Sequence, residues 1–138
     1  MDSESRIHFL LTASRVWLTY CLCVQRNDLR PRIFEWVKVL VLFPRQFPRD
    51  ATSRVIVSQL IRSGTSVGAN YCEAQAGSSR KDFANFVQHS LKSARESDYW
   101  LQLSQETIFG LDKLVLENLR KELDELIRIL VVITVKTK

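Results

Sequence analysis

The sequence predicts an all-α protein, an antiparallel up-down-up-down four-helix bundle. Three observations carry that expectation. Four long stretches repeat apolar residues at helical spacing. The joints between them are short and marked by prolines, glycines or capping residues. Gly 4 and Pro 3 in 138 residues are too few for a turn-rich β architecture. The length argues for one domain, large enough to bury a core without disulfides or metals. Hydrophobic residues at 46% and charged residues at 25% are globular proportions. We divide the chain into an N-terminal extension, residues 1–30, and a bundle domain, residues 31–138.

The extension contains IHFLLTASRVWLTYCLCV, residues 7–24, an apolar run interrupted by His8 and Arg15. Its leader MDSESR lacks the basic character of a signal peptide, and a membrane-spanning helix is not expected. Two readings stay open: an extra amphipathic helix, or a start codon assigned too far upstream. NDLRPR, residues 27–32, then breaks the pattern, with Pro31 suited to the start of a new helix.

The first bundle helix is expected over IFEWVKVLVLF, residues 33–43, ending before Pro44 and Pro48. The second opens near Asp50, Thr52 and Ser53, each a candidate N-cap. It carries Ile56, Leu60, Val67 and Tyr71 on one stripe and ends at Gly77. The third opens on Ser79 with Asp82 three residues on, a variant capping box. Its stripe of Phe83, Phe86, Val87, Leu91, Ala94, Leu101 and Ile108 reaches Gly110. The fourth is the most regular. Leu116, Leu119, Leu123, Leu126, Leu130 and Ile133 form an a/d seam, which Ile127 and Val131 widen. Short connections make consecutive helices antiparallel neighbours.

Gly64 and Gly68 interrupt the second helix, although an interior glycine costs about 1 kcal/mol relative to alanine. With Ser63 and Ala69 they give the helix a narrow side on which a neighbouring backbone can approach. A phosphate-cradling loop does not fit, because GTSVGAN lacks the Gly-Lys-Ser/Thr ending and follows no strand. Arg62, Ser66, Asn70 and Glu73 share one face of the same helix. Arg95, Glu96, Asp98 and Tyr99 cluster on the third. Two readings stand for these groups: a solvated face, or a polar network across two helices that fixes register.

The formal net charge is +5. Between residues 30 and 62, seven basic residues (Arg30, Arg32, Lys38, Arg45, Arg49, Arg54, Arg62) stand against Glu35 and Asp50 alone. Arg80, Lys81, Lys92 and Arg95 add cations on the third helix. We take Arg45, Arg49, Arg54, Arg62, Arg80 and Lys81 as candidate nucleic-acid-binding residues. Trp36 and Trp100 lie on or beside apolar stripes, so both are expected in the core rather than stacked on bases. Cys21, Cys23 and Cys72 have no zinc-type spacing and read as reduced thiols of a cytoplasmic protein. No metal or cofactor motif is present in the sequence. His8 and His89 lie in different segments, and no nucleophile–base pair stands out, so the chain reads as a non-enzyme.

The segment SQLIRSGTSVGANYCEAQAGSSRKDFANFVQHSLKSARESDYWLQL, residues 58–103, closely resembles a small bacterial four-helix bundle family. That family is named for proteins encoded in 23S ribosomal RNA intervening sequences. It also includes the accessory variability determinants of diversity-generating retroelements. QLIRSGTSVGANYCEAQ, SSRKDF and LKSARESDYWL are the matching blocks, and RIFEWVKVLVLF, residues 32–43, looks like the family's first helix. The resemblance spans about residues 32–134. Cys72 stands where charged residues are common in the family, and QHS, residues 88–90, also departs from the usual pattern. The resemblance implies a homo-oligomer, a pentameric ring, with a basic surface for RNA and a reverse transcriptase or other protein as a further partner. It implies no catalytic residues. Two functions follow as expectations: an oligomeric scaffold that binds structured RNA, or a protein–protein adaptor with no nucleic-acid role.

Overall fold

The computed structural model describes residues 29–137. The readings placed on residues 7–24, including His8, Cys21 and Cys23, lie outside them. Four helices follow one another: α1, Leu29–Leu42; α2, Ala51–Ala76; α3, Arg80–Thr107; and α4, Lys113–Lys136. A 3-10 turn, Phe43–Gln46, follows α1. Neighbours in sequence pack side by side, and α1 closes the ring against α4. The bundle is antiparallel throughout, as the sequence pattern predicts.

Each boundary has a local cause. Pro31 sits inside the first turn of α1, where a missing N–H costs no intrahelical bond. Pro44 ends α1 as an α-helix, and the chain continues as one 3-10 turn. Asp50 is the cap of α2: its carboxylate accepts from the Ser53 N–H at 2.8 Å and the Ser53 hydroxyl at 3.0 Å. Ser79 caps α3 by accepting from Asp82 N at 3.1 Å. The Asp82 carboxylate turns instead to the Ser78 hydroxyl, so only half of the capping box forms. Asp112 caps α4 through Val115 N.

Two helix ends differ from the pattern-based reading. α3 stops at Thr107 rather than at Gly110, because Ile108 turns extended and tucks against the core. Gly110 then takes φ +81°, a left-handed conformation that suits glycine in the loop before α4. Gly77 does follow α2, but with φ −59° rather than left-handed. A Cβ added there would sit tightly, 3.1 Å from the Ala74 carbonyl oxygen and 3.2 Å from Phe83 N, and would need a shift of a few tenths of an ångström.

The core runs the length of the bundle. Leu116, Leu119, Leu123, Leu126 and Leu130 of α4 are all buried, as the heptad predicts. The last buried position is Thr134 rather than Ile133, since a straight helix drifts off a strict 3.5-residue repeat. Trp36 is 1% exposed, and its indole N–H donates to the Leu119 carbonyl at 3.0 Å, tying α1 to α4. On the other side of the bundle α2 and α3 meet through small polar residues. Ser97 donates to Ser63 Oγ at 3.0 Å, and Ser90 donates to the Val67 carbonyl at 2.7 Å. All three serines are buried.

Candidate nucleic-acid interface

The topology sorts the candidate cations by height along the bundle. At one pole lie the end of α1, the 3-10 turn, the start of α2 and the loop from α3 to α4. At the other lie the start of α1, the loop from α2 to α3 and the end of α4. We call these the turn pole and the terminal pole. Arg45, Arg49 and Arg54 are at the turn pole, while Arg80 and Lys81 open α3 at the terminal pole. The 26 residues of α2 lie between them, a separation of about 39 Å at 1.5 Å per residue. The six candidates therefore do not form one patch.

Their partners separate them further. Arg62 donates to Gln59 Oε1 at 2.9 Å and crosses to the Glu96 carboxylate of α3. Arg80 donates to the Lys136 carbonyl at 3.0 Å, satisfying one of the open acceptors at the end of α4. Arg45, Arg49, Arg54 and Lys81 are exposed and have no side-chain partner among the described residues.

Most acidic side chains are already engaged. Glu122 takes a two-pronged bond from Arg32, at 2.6 and 3.0 Å, and Glu125 binds the same guanidinium. Asp98 faces Arg120 at 3.3 Å, Asp124 faces Arg128 at 2.8 Å, and Glu35 takes Lys38 at 2.9 Å. Asp50 is the acid nearest in sequence to Arg49 and Arg54. The Ser53 N–H, with the Ser53 hydroxyl, holds its carboxyl below the usual carboxylate range. That charge is committed to the α2 N-terminus.

The turn pole holds two further groups that the sequence reading did not select. Gln46 of the 3-10 turn accepts from Asp112 N at 2.7 Å, which pins the turn against the start of α4. Lys113 follows Asp112 and is exposed. Phe109, in the adjoining loop, is 90% exposed. Its signal in the sequence was its place between Ile108 and Gly110, off any helical stripe. Lys113, Glu106 and Glu117 surround Phe109, and an exposed aromatic ring is one component of a base-stacking site on RNA.

The proposed polar network on α2 assembles only in part. Ser66 donates to the Arg62 carbonyl at 2.7 Å, and Asn70 donates to the Ser66 carbonyl at 2.9 Å, both within the helix. Arg62 alone reaches α3. Glu73 and Arg95 are exposed, and neither joins it. The two glycines also differ. A Cβ at Gly64 would lie 2.4 Å from Leu40 Cδ2, whereas at Gly68 it would meet Ile33 Cγ2 at an ordinary 3.5 Å.

Among the described residues, no group of three His, Cys, Asp or Glu side chains could hold a metal ion. No described helix is long and apolar enough to cross a membrane. Cys72 is an exposed free thiol, and His89 is exposed beside Phe86. These residues supply charge, aromatic surface and helix contacts.

No curated protein matches this sequence. A crystal structure of a protein of unknown function, from the S23 ribosomal protein family of Bacteroides thetaiotaomicron, is similar with a TM-score of 0.70 and 30% identity. The similarity covers 78% of this chain and 96% of that one. Residues 28–132 match the family described as 23S rRNA-intervening sequence protein, a span that opens one residue before α1 and ends inside α4. On that match, and on the bundle that carries it, the chain belongs to the 23S rRNA-intervening sequence protein family.

Proposed function

We propose that the chain is a non-enzymatic subunit of an oligomeric scaffold that binds structured RNA through its turn pole. The observation that carries this reading is the set of free cations on the 3-10 turn and the start of α2. Arg45, Arg49 and Arg54 are exposed without side-chain partners, and Asp50, the one acid in that stretch, caps α2; the exposed acids of the pole, Glu106 and Glu117, lie instead around the α3–α4 loop. Phe109 adds an exposed ring. The family's tie to ribosomal RNA sequences supports RNA as the polyanion. In a homo-oligomer, a pentameric ring above all, each copy repeats the pole, and linked weak phosphate contacts combine into useful affinity. A reverse transcriptase or another ribonucleoprotein component belongs to the same proposal as a protein partner of the ring.

The test compares the two poles. Arg49→Glu with Arg54→Glu should weaken binding of a structured RNA and flatten its dependence on salt, read by fluorescence anisotropy across a salt series. Lys81→Glu, at the terminal pole, should do much less. Sedimentation of each variant checks that assembly is unchanged. Equal loss from both poles would remove the turn pole from the proposal. Indifference of the unmodified protein to RNA would favour the adaptor reading.

A further inference from the structure

The turn pole is charged in two halves. One half runs from the 3-10 turn to the start of α2, where Arg45, Pro48 and Arg49 are exposed. The other is the α3–α4 loop, which opens a pocket of about 430 Å³ lined by Glu106, Phe109, Lys113 and Glu117 among others. The halves lie side by side, since Gln46 of the turn accepts from Asp112 N at 2.7 Å. No ion pair joins them. Arg45 and Arg49 have no carboxylate partner among the described residues, and Glu106 and Glu117 have no cation.

Such a face complements a second copy of itself. A two-fold rotation lays the cations of each copy over the acids of the other and makes both contacts at once. A pole of one sign would repel its own copy. Exposed ion pairs alone contribute little, so the contact needs an apolar anchor as well. Phe109 is 90% exposed, and Leu114 beside it is 67% exposed. Guanidinium planes stack on aromatic faces, and the exposed Pro48 adds a flat apolar ring between the two arginines.

We propose that two copies of the chain pair pole to pole about a two-fold axis. Each lays its Arg45–Arg49 turn into the other's α3–α4 pocket. Phe109 packs on Pro48 and the guanidinium groups, and Glu106 and Glu117 face the arginines. The pairing does not depend on RNA binding. It covers cations assigned above to RNA, so paired copies are closed to RNA, a consequence that rests on that reading.

Charge reversal with rescue tests the pairing without RNA. At low salt the full chain should sediment with twice the mass of either of two variants, Arg45→Glu with Arg49→Glu, or Glu106→Arg with Glu117→Arg. Each variant carries mainly one sign of charge on both halves. Mixed in equal amounts, the two should recover the parent mass, because each meets its complement on both sides. Whatever number of copies associates side by side, pairing doubles it. Phe109→Ser should raise the pairing Kd at least tenfold, and raised salt should separate the parent pair. Equal masses for the parent and both variants would overturn the proposal and leave the loop pocket to a basic partner other than this chain. Variants that stay unpaired when mixed would overturn it too, because complementary charge would then not be the cause.

Discussion

α2 and α4 lie across the bundle from one another and are built on opposite principles. α4 fills its inner face with leucine, and five of those leucines are buried in heptad register. α2 keeps much of its inner face small. Ser53, Ser63 and Gly64 are buried there, and the helix is held as much by close approach as by side-chain volume. The difference shows two ways to close one core. Where the side chains are large, dispersion and area burial set the spacing between helices. Where they are small, the spacing shrinks until hydroxyl groups reach across, as Ser97 does to Ser63 and Ser90 does to the Val67 carbonyl.

The sharpest way to break the contrast is to hollow the large side. Leu123→Ala removes a fully buried side chain from α4 and should cost ~2–5 kcal/mol in urea unfolding. A loss below 1 kcal/mol would mean that α4 shifts inward and that its leucine seam does not set the spacing. Overfilling the small side comes next. Gly64→Leu should cost about 1–3 kcal/mol or more, because even its Cβ would lie 2.4 Å from Leu40 Cδ2. Gly68→Ala should instead be neutral or stabilising by up to about 1 kcal/mol, since a methyl group fits and the unfolded chain loses freedom. Equal effects at the two glycines would erase the distinction drawn between them.

The smallest expected effect concerns the α2 cap. The native Asp50 carboxyl titrates below its ordinary range because it accepts from the Ser53 N–H and hydroxyl. Its stabilising share is therefore complete above the unfolded pKa and is lost as pH falls through the native one. The urea midpoint of the unmodified protein should drop along that acid limb. Asp50→Asn should flatten the drop while leaving the neutral-pH fold intact. An unchanged acid limb would assign the drop to other carboxylates.

The same contrast explains what could be read from the sequence. α4 was legible because large apolar residues announce their period. The buried course of α2 was legible through Ile56, Leu60, Val67 and Tyr71. The buried serines of α3 were not singled out, although Ser90, Ser97 and Ser104 recur every seven residues. A serine gives no hydropathy signal that separates a buried hydroxyl from a solvated one. Nor does spacing alone reveal that Gly64 meets a leucine while Gly68 has room, since that depends on the rotamer of a residue on another helix. The cations were legible as charges but not as a patch. Two residues at opposite ends of one long helix cannot touch the same phosphate group, and the topology alone separates Arg54 from Arg80.

An even number of antiparallel helices has a consequence for how the molecule can be joined to others. α1 starts and α4 ends at the same pole, where Arg80 holds the Lys136 carbonyl. A tag, surface tether or fused domain attached through the end of α4 departs from that pole. The face carrying Arg49 and Phe109 points the other way. An immobilised copy would therefore present it outward, with no need for a long linker or a circular permutation.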